Sequence, residues 1–231
     1  MARPRKALGT IRRVPLTEKR RMIEQAFYDN VKLPEKMDLD EWADLYRMLP
    51  TETSSEDGQW CTDRFPFLRR IMKVLSPSNP AREIVVQKGC QLGFTELAIN
   101  WMFYTADHDP GPFLYCQKTE DAGRDFSNQK LKPGIRACDK IFDVLGDGKP
   151  KSYANSWDNK GFPGGFISIG GANVPEFLKS KSVKRAVTDE EASYKEGIGQ
   201  DGSPVYMIKK RMVNFPDRKL YRPSTPQLTE T

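Results

Sequence analysis

The segment that most restricts the fold runs from Arg82 to Met102. It opens with a short β-branched run, Ile84-Val85-Val86, which reads as a buried strand. A tight stretch holding Gly89 and Gly93 follows. Thr95-Glu96-Leu97-Ala98-Ile99-Asn100-Trp101-Met102 then carries a helical apolar pattern. Strand, glycine loop and helix N-terminus in that order form a phosphate cradle, because backbone N–H groups and the helix dipole face one anion.

The standard P-loop pattern is G-x-x-x-x-G-K-[ST]. Over residues 88–95, Gly93 and Thr95 fit. Lys88 stands where the first glycine belongs, and Phe94 where the lysine belongs. The chemistry asks for one cation near the β/γ-phosphates and one hydroxyl on Mg²⁺. Lys88, at the start of the loop, can reach back over it to supply the charge, and Thr95 can supply the metal ligand. An ordinary strand-turn-helix with a surface lysine is the competing reading, and residues downstream must decide.

A chain of 231 residues holds one sizeable α/β domain plus an appendage. Charged residues make up 29% of it, and its net charge of +6 suits work near a polyanion. Cys61, Cys90, Cys116 and Cys138 include no C-x-x-C pair, which argues against a zinc ribbon or a disulfide framework and fits a reducing compartment. No apolar run approaches the roughly 20 residues of a membrane helix, so a soluble intracellular chain is expected.

The N-terminal arm is basic (Arg3, Arg5, Lys6, Arg12, Arg13, Lys19, Arg20, Arg21) and broken by Pro4 and Pro15. It is either a solvated tail or a contact for nucleic acid or an acidic partner. Thr17 to Asn30 is predicted as a short amphipathic helix capped by Thr17, with Met22, Ile23, Ala26 and Phe27 on one face. A second helix is expected from Asp38 or Asp40 to before Pro50. Thr51 to Asp63 reads as turn-rich, and Phe65 to Leu75 as a helix. Pro112 to Cys116 reads as a buried strand. A helix from Asp121 to Leu131 is expected to end at Pro133-Gly134. Trp157 to Ile169 alternates around glycines and looks like a hairpin or meander.

A P-loop needs an acidic residue at the end of a neighbouring strand for the magnesium shell, and hydrolases often add a carboxylate for water. Ser182 to Thr188 supplies a short strand, and Asp189-Glu190 follows it. Asp189 would lie on the Mg²⁺ side and Glu190 would point at the attacking water. A solvated acidic turn is the plainer reading of that pair alone; the upstream glycine loop makes the nucleotide reading the stronger one. Lys219-Leu220-Tyr221-Arg222 leads into Pro223-Ser224-Thr225-Pro226, where a hydroxyl pair at a strand end could sense a γ-phosphate.

Four stretches together resemble the large subunit of tailed-phage DNA-packaging terminases of the lambda-like type. They are Glu41-Trp42-Ala43-Asp44 with Leu49-Pro50, Phe65 to Met72, Val85 to Thr95, and Asp189-Glu190 with Ser224-Thr225-Pro226. That family is similar in carrying a deviant Walker A loop with its basic residue at the front. The resemblance spans about residues 40–226. It implies an α/β, P-loop NTPase-like fold, with a mainly parallel sheet flanked by helices and a helical N-terminal extension.

It further implies a motor ATPase that uses ATP and Mg²⁺ to drive duplex DNA into a capsid. Lys88, Gly89, Gly93, Phe94 and Thr95 would form the ATP-binding loop, with Lys88 on the phosphates. Thr95 and Asp189 would serve Mg²⁺, and Glu190 would be the catalytic carboxylate beside a Walker B strand. Ser224 and Thr225 would couple hydrolysis to movement. An arginine acting on the γ-phosphate is expected in ring motors, with Arg136 and Arg211 as candidates. The implied partners are duplex DNA, the small terminase subunit, the capsid portal and further copies in a ring, in the host cytoplasm and away from membranes. Residues 1–48 would form the arm, a candidate small-subunit contact, and 49–231 the ATPase domain.

Two departures stand out. Thr53-Ser54-Ser55-Glu56 offers no aromatic platform for a base before Trp60. The chain also stops at Thr231, so it reads as a fragment without the family's final ATPase strands or its nuclease domain, and nuclease activity is not expected. The alternatives are a helicase-like P-loop ATPase and a non-catalytic DNA- or partner-binding fragment.

Overall fold

The computed structural model describes residues 15–31, 36–54, 56–146, 156–195, 197 and 202–226. Two compact units are present, Met1–Lys36 and Met37–Thr231. Among the described residues the first contains one helix, α1 (Leu16–Val31). It starts ahead of Thr17, because the Pro15 carbonyl already accepts from Glu18 and Lys19; Thr17 therefore sits inside the first turn rather than capping it. Met22 and Ile23 are 65% and 69% exposed. The side chain of Phe27 and the basic residues before Pro15 lie outside the described residues.

In the second unit, α2 (Leu39–Tyr46) begins where Asp38 N–H donates to Glu41, a local closure of the helix start. A short antiparallel hairpin follows, β1 (Met48–Leu49) with β2 (Gly58–Gln59). Then come α3 (Pro66–Leu75), β3 (Glu83–Gln87), α4 (Phe94–Asp107), β4 (Pro112–Gln117) and α5 (Glu120–Phe126). The remainder is α6 (Lys132–Ala137), α7 (Asp139–Leu145), β5 (Asn159–Phe162), β6 (Gly165–Gly171), α8 (Pro175–Lys179), β7 (Arg185–Thr188), α9 (Pro204–Arg211) and β8 (Lys219–Ser224).

Among the described residues six strands form one sheet in the order β3-β8-β7-β4-β6-β5. Every pairing is parallel except the β5–β6 hairpin. Alternating strand residues feed opposite faces, as a pleated strand requires. Phe113, Tyr115, Val187 and Tyr221 pack with α4 in the larger core, while Leu114, Cys116, Ala186 and Leu220 pack with residues of α8 and α9. Trp101 of α4 meets Phe113 and Tyr221 edge-on, with ring centroids 5.0 and 6.4 Å apart. Gly123 and Gly170 allow close approach of α5 to β6, since a Cβ on Gly123 would already sit 3.4 Å from the Gly170 backbone.

Two expectations need correction. The Ile84-Val85-Val86 run is a strand, but among the described residues it is an edge strand paired only with β8. Ile84 is buried while Val85 is 67% exposed. A β-branched run reports strand propensity, not position in the sheet. The helix expected to stop at Pro133 instead leaves α5 through a π-helical turn, Ser127–Leu131, and continues as α6 across the proline. Pro133 sits in the first turn of α6, where a missing N–H is tolerated.

Candidate functional site

Parallel pairing brings the C-terminal ends of β3, β8, β7 and β4 to one edge of the sheet, where open α/β folds bind ligands. Three backbone bonds fix the loops there. Lys88 N–H donates to Ser224 O at 3.0 Å, Glu190 N–H to Pro223 O at 3.1 Å, and Asp189 N–H to Cys116 O at 3.0 Å. Sequence-distant residues Lys88, Asp189, Glu190 and Ser224 thereby meet. Gly93 precedes α4 with φ of 77°, a left-handed conformation that glycine adopts without a Cβ clash.

The displaced lysine is the centre of the site. Lys88 is buried, and its Nζ lies 2.9 Å from Asp189 Oδ1 and 2.9 Å from Glu190 Oε1. Burial pulls its pKa down, but the carboxylates of Asp189 and Glu190 outweigh that and hold it above the ordinary lysine value. The converse holds for Glu190. Partial burial pushes its pKa up, yet Lys88 and Thr225 bring it below the ordinary glutamate value. Glu190 has φ of 55°, a strained conformation for a side-chain-bearing residue.

The other oxygen of Asp189 is also held. Tyr115 Oη donates to Asp189 Oδ2 at 2.7 Å, and Gln117 Nε2 lies 3.2 Å from the same oxygen and 2.8 Å from Tyr115 Oη. Burial, and next the Asp189 charge, push the Tyr115 phenol well above its ordinary pKa. These two partners were not apparent in the sequence. Both lie on β4, and only the β4–β7 pairing reveals that they face Asp189.

A cleft of about 500 Å³ opens over the loop from Lys88 to Glu96. Phe94 and Thr95 line it from the first turn of α4, and Gly89 and Gly93 line it from the loop before that helix. Its far wall comes from the β1–β2 hairpin and the segment after it, with Leu49, Thr53, Trp60 and Phe65. Trp60 and Phe65 stack with centroids 6.4 Å apart. The cleft therefore has an aromatic wall supplied from Trp60 onward rather than from residues 53–56. Lys130 also reaches in, donating to Thr53 O at 3.3 Å.

That wall is tied to the first turn of α4 by Arg47, which is fully buried. Its guanidinium donates to Glu96 at 2.8 Å, to Asn100 at 2.9 Å and to the Met48 carbonyl, and it lies 5.0 Å over the Phe103 ring. Burial lowers its pKa, a shift that Glu96 opposes.

The two arginine candidates lie apart. Arg136 on α6 is an exposed residue 3.6 Å from Glu52, which is next to cleft-lining Thr53. Arg211 ends α9, and its carbonyl accepts from Val183 N–H just before β7, so it lies at the opposite end of the sheet. Thr225 and Ser224 join the site from the end of β8. Thr225 donates twice to Glu190, and Ser224 Oγ accepts from Ala192 N–H at 2.9 Å.

No group of three or more His, Cys, Asp or Glu side chains among the described residues could hold a metal. The donors that are present suit Mg²⁺ bound chiefly through phosphates. They are hard oxygens, the Thr95 hydroxyl and an Asp189 carboxylate whose Oδ1 accepts from the Lys88 ammonium.

A family model for the ATPase domain of the phage terminase large subunit gpA matches residues 54–231. The chain belongs to this family. It is 30% identical over 200 residues to the terminase large subunit of Escherichia phage lambda, covering 86% of this chain and 31% of that protein. It is 28% identical over 190 residues to that of Enterobacteria phage P21, covering 81% of this chain and 29% of that protein. The chain thus spans about a third of these relatives. The crystal structure of the HK97 bacteriophage large terminase superposes with a TM-score of 0.62 at 11% identity, over 82% of this chain and 37% of that one. At that identity the likeness speaks for the terminase fold, and the mostly parallel sheet flanked by helices agrees with it. No helix among the described residues is long and apolar enough to cross a membrane.

Proposed function

We propose that this chain is the ATP-hydrolysing motor portion of a terminase large subunit, which drives duplex DNA into a capsid in the host cytoplasm. The observation that carries the reading is the seat of Lys88. A cation at the front of the glycine loop is held against Asp189-Glu190, the pair that a hydrolase needs beside the phosphates. An ordinary surface lysine would not be buried between two carboxylates.

Lys88 bridges Asp189 and Glu190 and offsets part of their combined charge. Phosphate oxygens entering the loop compete for its ammonium, and the N–H groups at the start of α4 add their dipole. Thr95 and Asp189 would hold Mg²⁺, which when bound supplies charge neutralisation on the transferring phosphoryl group. Glu190 is the group that takes up the proton of the attacking water. Ser224 and Thr225 report the state of that carboxylate to β8. The Trp60–Phe65 wall shields the far side of the nucleotide. Arg136, beside the cleft mouth, and Arg211, at the opposite end of the sheet, are the γ-phosphate arginine candidates. From its remote position Arg211 would serve a neighbouring copy in a ring.

Duplex DNA, the small terminase subunit and the capsid portal are the partners in this reading, with residues 1–48 as the small-subunit contact. The experiment is steady-state Mg-ATP hydrolysis with and without linear duplex DNA. A rate that rises with DNA supports the motor; nucleotide binding with no turnover under either condition favours a non-catalytic binding fragment.

A further inference from the structure

Tyr115 is an unusual choice for the centre of a buried strand. Its side chain is fully buried on β4, and its ring stacks on Phe126 with centroids 4.0 Å apart. Phenylalanine would fill that space equally well. The hydroxyl is instead spent on a single carboxylate oxygen, Asp189 Oδ2, at 2.7 Å. Gln117, two residues along the same strand and on the same face, adds a second donor to that oxygen and a bond to the phenol.

The two oxygens of Asp189 thus have different kinds of partner. Oδ2 is held by Tyr115 and Gln117, which are fixed in the strand, whereas Oδ1 is held by the Lys88 ammonium at the end of a flexible stem. When phosphate draws Lys88 away, Oδ2 stays anchored and Oδ1 is left facing the cleft. We propose that Tyr115, assisted by Gln117, is a positioning residue that fixes which Asp189 oxygen is presented to nucleotide-bound Mg²⁺. The inference rests on the reading of Asp189 as the metal-side carboxylate. Removing such an outer partner of a metal-supporting carboxylate characteristically costs about 10-fold in metal affinity.

The test is binding of a fluorescent ATP analogue to the full 231-residue chain across a Mg²⁺ titration, beside the same measurement in EDTA. The variants are Tyr115→Phe, Gln117→Met and Asp189→Asn, each melted without nucleotide to confirm folding. The expected result is unchanged affinity in EDTA for Tyr115→Phe and Gln117→Met, with about 10-fold more Mg²⁺ needed for half the metal-dependent gain. If Tyr115→Phe fails to fold, Gln117→Met alone decides. A Mg²⁺ midpoint within twofold of wild type in the folded Tyr115 and Gln117 variants, while Asp189→Asn shifts it, overturns the positioning role alone. An unshifted Asp189→Asn overturns the metal-side reading of Asp189, and the inference with it.

Discussion

Thr225 holds Glu190 at both carboxylate oxygens, through its backbone N–H to Oε2 at 3.0 Å and its hydroxyl to Oε1 at 3.1 Å. The residue at the end of β8 therefore grips the acid at the end of β7, and does so on the oxygen that also faces Lys88. In the proposed role of Glu190 as the group that takes a proton from water, this grip would make the β8 terminus a restraint on turnover.

Thr225→Val removes the hydroxyl bond and leaves the backbone bond in place. A hydrogen bond to a charged acceptor contributes up to about 3 kcal/mol. Glu190 keeps 40% of its side chain exposed, so solvent screening reduces this toward about 1 kcal/mol. The expected outcome is unchanged Mg-ATP affinity with a basal rate raised about fivefold, which narrows the gap to the DNA-stimulated rate. Steady-state hydrolysis with and without DNA checks it.

Arg47 is the buried tie between the aromatic wall and the first turn of α4. Arg47→Met keeps most of the volume but leaves Glu96 without its cation, which should cost about 3 kcal/mol. In a domain of this size that is a fall of about 9 °C in melting temperature. Adding Glu96→Gln should recover part of it, because the second change removes the unpaired charge. Thermal unfolding of the two single variants and the double variant measures the coupling.

Lys219 supplies the pH dependence. Its Nζ donates to the carbonyls of Val74, Asn79 and Ala81 at 2.9, 2.7 and 2.7 Å. Burial, and then the Arg185 charge, bring its pKa down from 10.5 to about 8 despite the opposing charge of Asp217. Between those values the unfolded chain binds the proton and the folded chain releases it, so the fold gains stability as pH rises from about 8 toward 10.5. Relative to Lys219→Met, the wild-type protein should gain about 2 kcal/mol between pH 7 and 9.5. Denaturant unfolding at the two pH values reads the difference.

Much of this was legible from local pattern. Glycine punctuation and apolar runs located β3, α4, β4, β7 and β8 in the right order, and a hydroxyl pair at the end of β8 was foreseen. The parts that escaped depend on which strand lies beside which. The exposed flank of Val85, the approach of Tyr115 and Gln117 to Asp189, and the reach of Arg47 to Glu96 are all non-local. The π-helical turn at Ser127–Leu131 escaped because a proline looks the same in sequence whether a helix stops there or is re-started just before it.

In the proposed reading Lys88 is the phosphate cation and Glu190 the hydrolytic carboxylate. Equilibrium binding of Mg-ATP and single-turnover hydrolysis by wild type, Lys88→Ala and Glu190→Gln test it together, with folding of each variant confirmed by its melt. Lys88→Ala should weaken binding at least about tenfold. Glu190→Gln should bind within about threefold of wild type yet hydrolyse at least about 100-fold more slowly. Folded Lys88→Ala protein that binds Mg-ATP as wild type does, or Glu190→Gln protein that keeps its turnover, would contradict it.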